Sequence, residues 1–163
     1  MKKFLTMLLV AAGITSVTYA QDTKDEEFVN KKIVLEQEVY NLVVNDDVNV
    51  IFTDDSGKEM VIEGRSSEVK KIVLTEQNGV LEISAPTTFL QKKKAIVYIP
   101  ARGLRSVTVN GASVIYSYDK IQNPHINVFV NGSCQIRIKT YGKIKVINSD
   151  EYSYTYQSKK LAD

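Results

Sequence analysis

The chain has no tryptophan, one cysteine, one histidine and only three prolines in 163 residues. With Cys134 alone, no internal disulfide can form, so packing must hold the fold. In its place in the chain Cys134 reads as a small, buried, inert residue rather than a reactive thiol. The single histidine, His125, follows Pro124 and cannot build a zinc site with one distant cysteine. There is no G-x-S-x-G elbow, no phosphate-binding loop and no dinucleotide fingerprint. No cofactor, metal or catalytic residue is expected.

A long apolar run is also missing. "MKKFLTMLLVAAGITSVTYA" carries basic Lys2 and Lys3, an apolar stretch from Phe4 to Ala12, and a small-x-small site at Thr18-Tyr19-Ala20. That pattern predicts a secretory signal peptide over residues 1–20, too short in its apolar part to span a membrane. No cysteine near the cleavage site points to a lipid anchor. The mature chain is then exported, to the periplasm, cell surface or medium, with no transmembrane segment. Cleavage removes two lysines, 21 − 2 = 19 Lys+Arg against 19 Asp+Glu, so the net charge becomes zero. A nucleic-acid partner, which needs a basic excess, is not expected.

What is present is β-sequence. Residues 21–32, "QDTKDEEFVNKK", are charged and aperiodic and read as a flexible lead. From 33 to 157 the chain reads as one all-β domain, followed by a tail over 158–163. "NVIFT" alternates across two faces, Ser56-Gly57 makes a turn, and "SSEVKK" offers a Ser-capped helical turn. Asn78-Gly79 lies between alternating runs and reads as a two-residue hairpin. "LQKKK" is a solvated loop, and "AIVYIP" is a strand stopped at Pro100.

Beyond Pro100 the spacing becomes regular. Asn110, Asn131 and Asn148 each follow an apolar strand and precede an alternating one, at intervals of 21 and 17 residues. "VVNDDVNVIF" repeats the pattern at Asn45. Parity separates hairpin from corner, because side chains alternate faces along a strand. A two-residue hairpin across Asn131-Gly132 would set Val130 against Ser133 and Val128 against Gln135, apolar against polar. Taken as corners, the four copies align better. The residue before each asparagine is Val44, Val109, Val130 or Ile147, and the residue five beyond is apolar in three of four. Gly111 and Gly132 supply a bend that a Cβ resists, and asparagines stacked at corners can hydrogen-bond from copy to copy. A coil is favoured over a meander or sandwich, and intervals near 20 suit one solenoid rung.

At "QNGVLEI" (77–83), "AIVYIPARGLRSVTVNGAS" (95–113) and "VFVNGSC" (128–134) the chain resembles the head-GIN domain family of adhesin heads common in Bacteroidetes. The resemblance spans residues 33–157. It implies a right-handed single-stranded β-helix-like solenoid with an N-terminal strand and hairpin region, and an extracytoplasmic site. It implies no activity and transfers no catalytic residue. This chain departs from the family in carrying Asn where the corner usually has Ser, and in a third corner, "NSD", without Gly.

If the residues five and seven beyond each corner face inward, those between face out. Stacking the copies gives Tyr116, Arg137 and Tyr154 in one row and Tyr118, Lys139 and Tyr156 in the next. Tyrosine and arginine favour recognition surfaces, and such a face suits a glycan, a cell-surface protein or a second copy of the chain. The plainer reading is that tyrosine suits strands and stacks with cations between rungs. A one-residue slip in the last rung would instead bury Tyr152, Tyr154 and Tyr156. Acidic pairs at Asp46-Asp47, Asp54-Asp55 and Asp150-Glu151 read as solvated turns, only loosely suggesting calcium. A polysaccharide-cleaving enzyme would need such groups gathered in a cleft, and a purely structural envelope protein would need none. A non-enzymatic binding module is the expectation.

Overall fold

The computed structural model describes residues 27–86 and 94–148. Among the described residues twelve strands and one helical turn follow one another. They are β1 (Phe28–Val34), β2 (Asn41–Asn45), β3 (Asn49–Thr53), β4 (Glu59–Arg65), α1 (Ser66–Val69), β5 (Val73–Gln77) and β6 (Val80–Ser84). After these come β7 (Ile96–Pro100), β8 (Ser106–Asn110), β9 (Val114–Ser117), β10 (His125–Val130), β11 (Gln135–Arg137) and β12 (Lys143–Asn148). They form two open six-stranded sheets, one ordered β1-β4-β7-β3-β9-β11 and the other β12-β10-β8-β2-β6-β5. We call these sheet A and sheet B. Each is mixed, parallel at β3-β7, β3-β9 and β9-β11 in the first and across β6-β2-β8-β10-β12 in the second.

The question of hairpin or corner is answered by pairing. β8 and β9, on either side of Asn110-Gly111, lie in different sheets. β8 pairs in parallel with β2 and β10, whereas β9 pairs in parallel with β3 and β11. At Asn78-Gly79 the outcome is the opposite. β5 and β6 pair antiparallel with Gln77 facing Val80, and Asn78 and Gly79 both have positive φ, 53° and 75°. Positive φ at both central residues is the requirement of the type I′ turn.

The core lies between the sheets, and alternation puts it there. Leu42, Val44, Val107, Val109, Val128 and Val130 of sheet B face Val50, Phe52, Ile115, Ile136 and Ile138 of the facing layer, all buried. Each such side chain stabilises the fold by roughly 1.5–3 kcal/mol on burial. Ser117 occupies the same inward column as Phe52. Its buried hydroxyl accepts the Lys139 N–H at 2.8 Å, which removes the cost of an unpaired polar group.

Asparagine side chains tie the corners together. Asn131 Nδ2 donates to Asn110 Oδ1 at 2.8 Å, and Asn110 Nδ2 donates to Asn45 Oδ1 at 2.9 Å. Asn45 Nδ2 ends the row on Glu82 Oε1 at 2.5 Å. The backbone beside them is left-handed, with φ of 61° at Asp46, 139° at Gly111 and 150° at Gly132.

Three expectations need correction. The aperiodic lead does not reach residue 32, because Phe28–Val34 forms β1 and pairs antiparallel along the whole of β4. Its charged side chains stay exposed while its backbone extends the sheet. The helical turn is not capped by serine: Arg65 occupies the N-cap and makes no side-chain capping bond. β7 ends at Pro100, as expected, with Pro100 in register with Thr53. Asn148 falls in register with Val130, one place short of Asn131. The cause is apolar parity: β12 turns Ile144 and Val146 towards the core, and that sets its register. The expected signal peptide over 1–20, most of the expected lead, the expected loop at 90–93 and the acidic pair at 150–151 lie outside the described residues.

Candidate functional site

The outer face of sheet A carries the most unusual side-chain row. Lys32 (β1), Val61 (β4), Tyr98 (β7), Ile51 (β3), Tyr116 (β9) and Arg137 (β11) are in register across six strands. At roughly 4.8 Å per strand the row is about 24 Å long. A cation stands at each end and two tyrosines near the middle. Ile51 faces outward by parity yet has no exposed surface, flanked as it is by Tyr98 and Tyr116. The two rings therefore belong to one apolar platform.

Tyr118 enlarges that platform. Its ring meets Tyr116 edge to face, with centroids 5.0 Å apart and planes at 88°. The two hydroxyls lie 2.8 Å apart. Tyr118 itself is 59% exposed. Lys139 reaches over and donates from Nζ to the Tyr118 carbonyl at 2.6 Å. Thus Tyr116, Tyr118, Arg137 and Lys139 share one face, while Tyr154 and Tyr156 lie outside the described residues. The cations over tyrosine rings are elsewhere: Arg105 over Tyr40 at 4.8 Å and Lys120 over Tyr141 at 4.9 Å. Ile51 lies six beyond Asn45, the outward position of the first copy, whereas Tyr98 and Val61 belong to none of the four copies. For Tyr98, alternation in "IVYIP" was the only available signal.

The Tyr98 and Tyr116 hydroxyls resist ionisation. Burial, followed by the neighbouring Glu63 carboxylate, pushes Tyr98 up to about 12. The hydrogen bond with Tyr118, followed by burial, pushes Tyr116 up to about 12 as well. A raised value in the folded state means that the neutral form is held more tightly there than in the unfolded chain. That contribution is complete below the ordinary tyrosine value of 10.0 and is lost as pH rises towards about 12. The urea midpoint should therefore fall across this interval, and the fall should be smaller in Tyr116→Phe. An unchanged pH dependence in that variant would contradict the assignment.

At the end of this face, the β3–β4 turn and the start of the β7–β8 connection enclose a cleft of about 430 Å³. Asp54, Asp55, Ser56, Glu59, Tyr98 and Arg102 line it, with Val61 beneath. Arg102 grips Asp54 with two bonds, Nε to Oδ1 at 3.0 Å and Nη2 to Oδ2 at 3.1 Å. The Gln122 N–H adds a third to Oδ1 at 2.7 Å. The guanidinium and then the backbone donor hold Asp54 below its ordinary value, and Asp54 raises Arg102 in return.

The remaining acidic groups disperse. Asp47 pairs with Lys94, Asp46 is an exposed corner residue, and Glu59 bonds Lys32 at 2.9 Å. Among the described residues, no three or more His, Cys, Asp or Glu side chains are grouped to hold a metal ion. His125 opens β10, exposed, with Nε2 3.0 Å from Asn127 Oδ1. Cys134 is half-buried and packed against the core, and burial pushes its thiol up. Among the described residues no helix is long and apolar enough to cross a membrane.

These features define an all-β, two-sheet domain whose distinguishing surface is an aromatic and basic sheet face. The family profile described as "Putative auto-transporter adhesin, head GIN domain" matches residues 40–155, and the chain belongs to that family. It is similar in fold to two solved proteins, each described as a putative adhesin. One, from Bacteroides fragilis, is 16% identical with a TM-score of 0.51, the match covering 74% of this chain and 62% of that one. The other, from Parabacteroides distasonis, is 13% identical with a TM-score of 0.54, covering 76% of this chain and 57% of that one. The chain thus spans about three-fifths of the length of these relatives. No curated protein matches it.

Proposed function

We propose that the chain is a non-enzymatic, exported binding module of the cell envelope or surface, and that it engages a glycan or a surface partner through the outer face of sheet A. The observation that carries this reading is the in-register row Tyr98–Ile51–Tyr116–Arg137, with Tyr118 and Lys139 beside it. Tyrosine offers a large rigid ring with a polar tip, and arginine a fork of donors, at small cost in ordering. Family membership and the adhesin descriptions of the fold relatives support a surface role. The row of parallel pairings supports reading residues 33–157 as a right-handed single-stranded β-helix-like solenoid, extended at its start by β1. Residues 1–20 then act as the export signal and 158–163 as a tail.

The test is retention of residues 21–163 on an array of bacterial and host glycans. Tyr116→Ala with Arg137→Ala should lower retention at least tenfold while the circular dichroism spectrum and melting curve stay cooperative. Arg137→Glu alone, at an exposed position, should lower it too. Equal retention by both folded variants would contradict the assignment.

A further inference from the structure

We infer that the cleft at the β3–β4 turn takes a neutral pyranose residue of a glycan whose neighbouring sugars lie along the Tyr98–Tyr116 row. This deepens the proposed function and rests on its glycan arm. The cleft and the platform share Tyr98 and Val61, so a chain leaving the cleft runs directly onto the aromatic row. Its volume of about 430 Å³ falls within the range of small-ligand sites, about 300–1,000 Å³.

The chemistry of the walls selects the ligand class. Arg102 offsets Asp54 and Lys32 offsets Glu59, which leaves Asp55 as the one carboxylate of the lining without a paired cation among the described residues. A strongly anionic ligand would meet Asp54, Asp55 and Glu59, and a cation would compete with two seated side-chain cations. A neutral polyol suffers neither penalty. Arginine has five N–H donors and here uses two on Asp54, leaving the rest for hydroxyl oxygens. The exposed Asp55 carboxylate accepts from hydroxyls, and the exposed Ser56 hydroxyl does both. Alternating donors and acceptors around an apolar floor of Val61 and Tyr98 complement a sugar, polar at its rim and apolar on its ring face. Asp54 is held by three donors, so the Arg102 fork is in place before the ligand arrives.

The experiment is an amide NMR titration of residues 21–163 with three probes: neutral gluco-, manno- and galacto-trisaccharides, a matching uronic-acid trisaccharide, and calcium chloride. At least one neutral trisaccharide should shift the Thr53–Glu59 amides with saturation, and Asp55→Ala should weaken it about tenfold. Asp55 is exposed at a turn, so that variant keeps the fold; Ser56→Ala serves as a second, smaller lesion. The inference is overturned if no neutral trisaccharide shifts these amides, if only the uronic-acid probe or calcium does, or if both variants bind unchanged. Its failure is separable from that of the binding face. Array retention lost in Tyr116→Ala with Arg137→Ala but intact in Asp55→Ala would remove the cleft and leave the face.

Discussion

Gly111→Ala is expected to lower stability by about 3 kcal/mol and the melting temperature by about 10 °C. Two effects combine. The residue has φ of 139°, a region that a side chain with a Cβ enters only under strain. The added methyl would also point into the backbone carbonyl of Asp46 in the adjoining corner, well inside contact distance. Backbone cannot swing aside as a side chain can, because the Asp46 N–H is bonded to the Asn110 carbonyl at 3.0 Å. Gly132→Ala meets the same obstacle one step on, with a Cβ 2.9 Å from the Gly111 nitrogen. Asp46→Gly provides the contrast. Asp46 already holds φ of 61° with a side chain that is exposed, so glycine there should change stability by less than about 1 kcal/mol. Urea melts of the three variants measure this directly, and a neutral Gly111→Ala would refute the close stacking of corners.

Asn123→Leu should cost about 4 kcal/mol, although the two side chains differ little in size. Asn123 is 3% exposed. Its Nδ2, with two N–H donors, lies within hydrogen-bond distance of three carbonyls, Ala101 at 2.9 Å, Arg102 at 3.1 Å and Leu104 at 2.6 Å, so one N–H is shared between two of them. Its Oδ1 accepts the His125 N–H at 3.0 Å. One side chain thus satisfies the turn between β7 and β8 and fixes the start of β10. Leucine would remove the buried partner of the Leu104 carbonyl and the part-buried partners of the Arg102 carbonyl and the His125 N–H, while the Ala101 carbonyl keeps the Leu104 N–H at 3.2 Å; a buried group left unpaired costs about 1–3 kcal/mol, less whatever water recovers. Gln122→Leu, one residue earlier and exposed, should stay within about 0.5 kcal/mol. Equal losses at the two positions would contradict the role given to the Asn123 amide.

Neither the importance of Asn123 nor the cleft was legible in the sequence. Asn123 sits in "IQNPHI", where Asn before Pro signals only a turn. Its partners are about twenty residues away, and nothing in the local pattern indicates which carbonyls a turn will present. The corners were legible for the opposite reason. Asn110 and Asn131 lie 21 residues apart with the same neighbours, and one parity argument applies to both. The same argument went astray at Asn148, where the letter matched but the apolar phase did not. Ile144 and Val146 set that register, and a single residue of slip moves every side chain to the other face. β1 escaped notice because its exposed lysines hide the strand pattern; its structure comes from backbone pairing to β4 rather than from burial. On the face of sheet A, Ile51, Tyr116 and Arg137 share the position six beyond their corners, whereas Tyr98 joins them only through strand order.

The most direct test of the binding face is a map of contacted amides. The glycan retained most strongly by the array, added to isotope-labelled residues 21–163, should shift amides of β7, β3, β9 and β11 around Tyr98, Ile51, Tyr116 and Arg137, and leave the outer face of sheet B around Thr108 and Phe129 unchanged. Shifts confined to sheet B, or none at saturating glycan, would contradict the account.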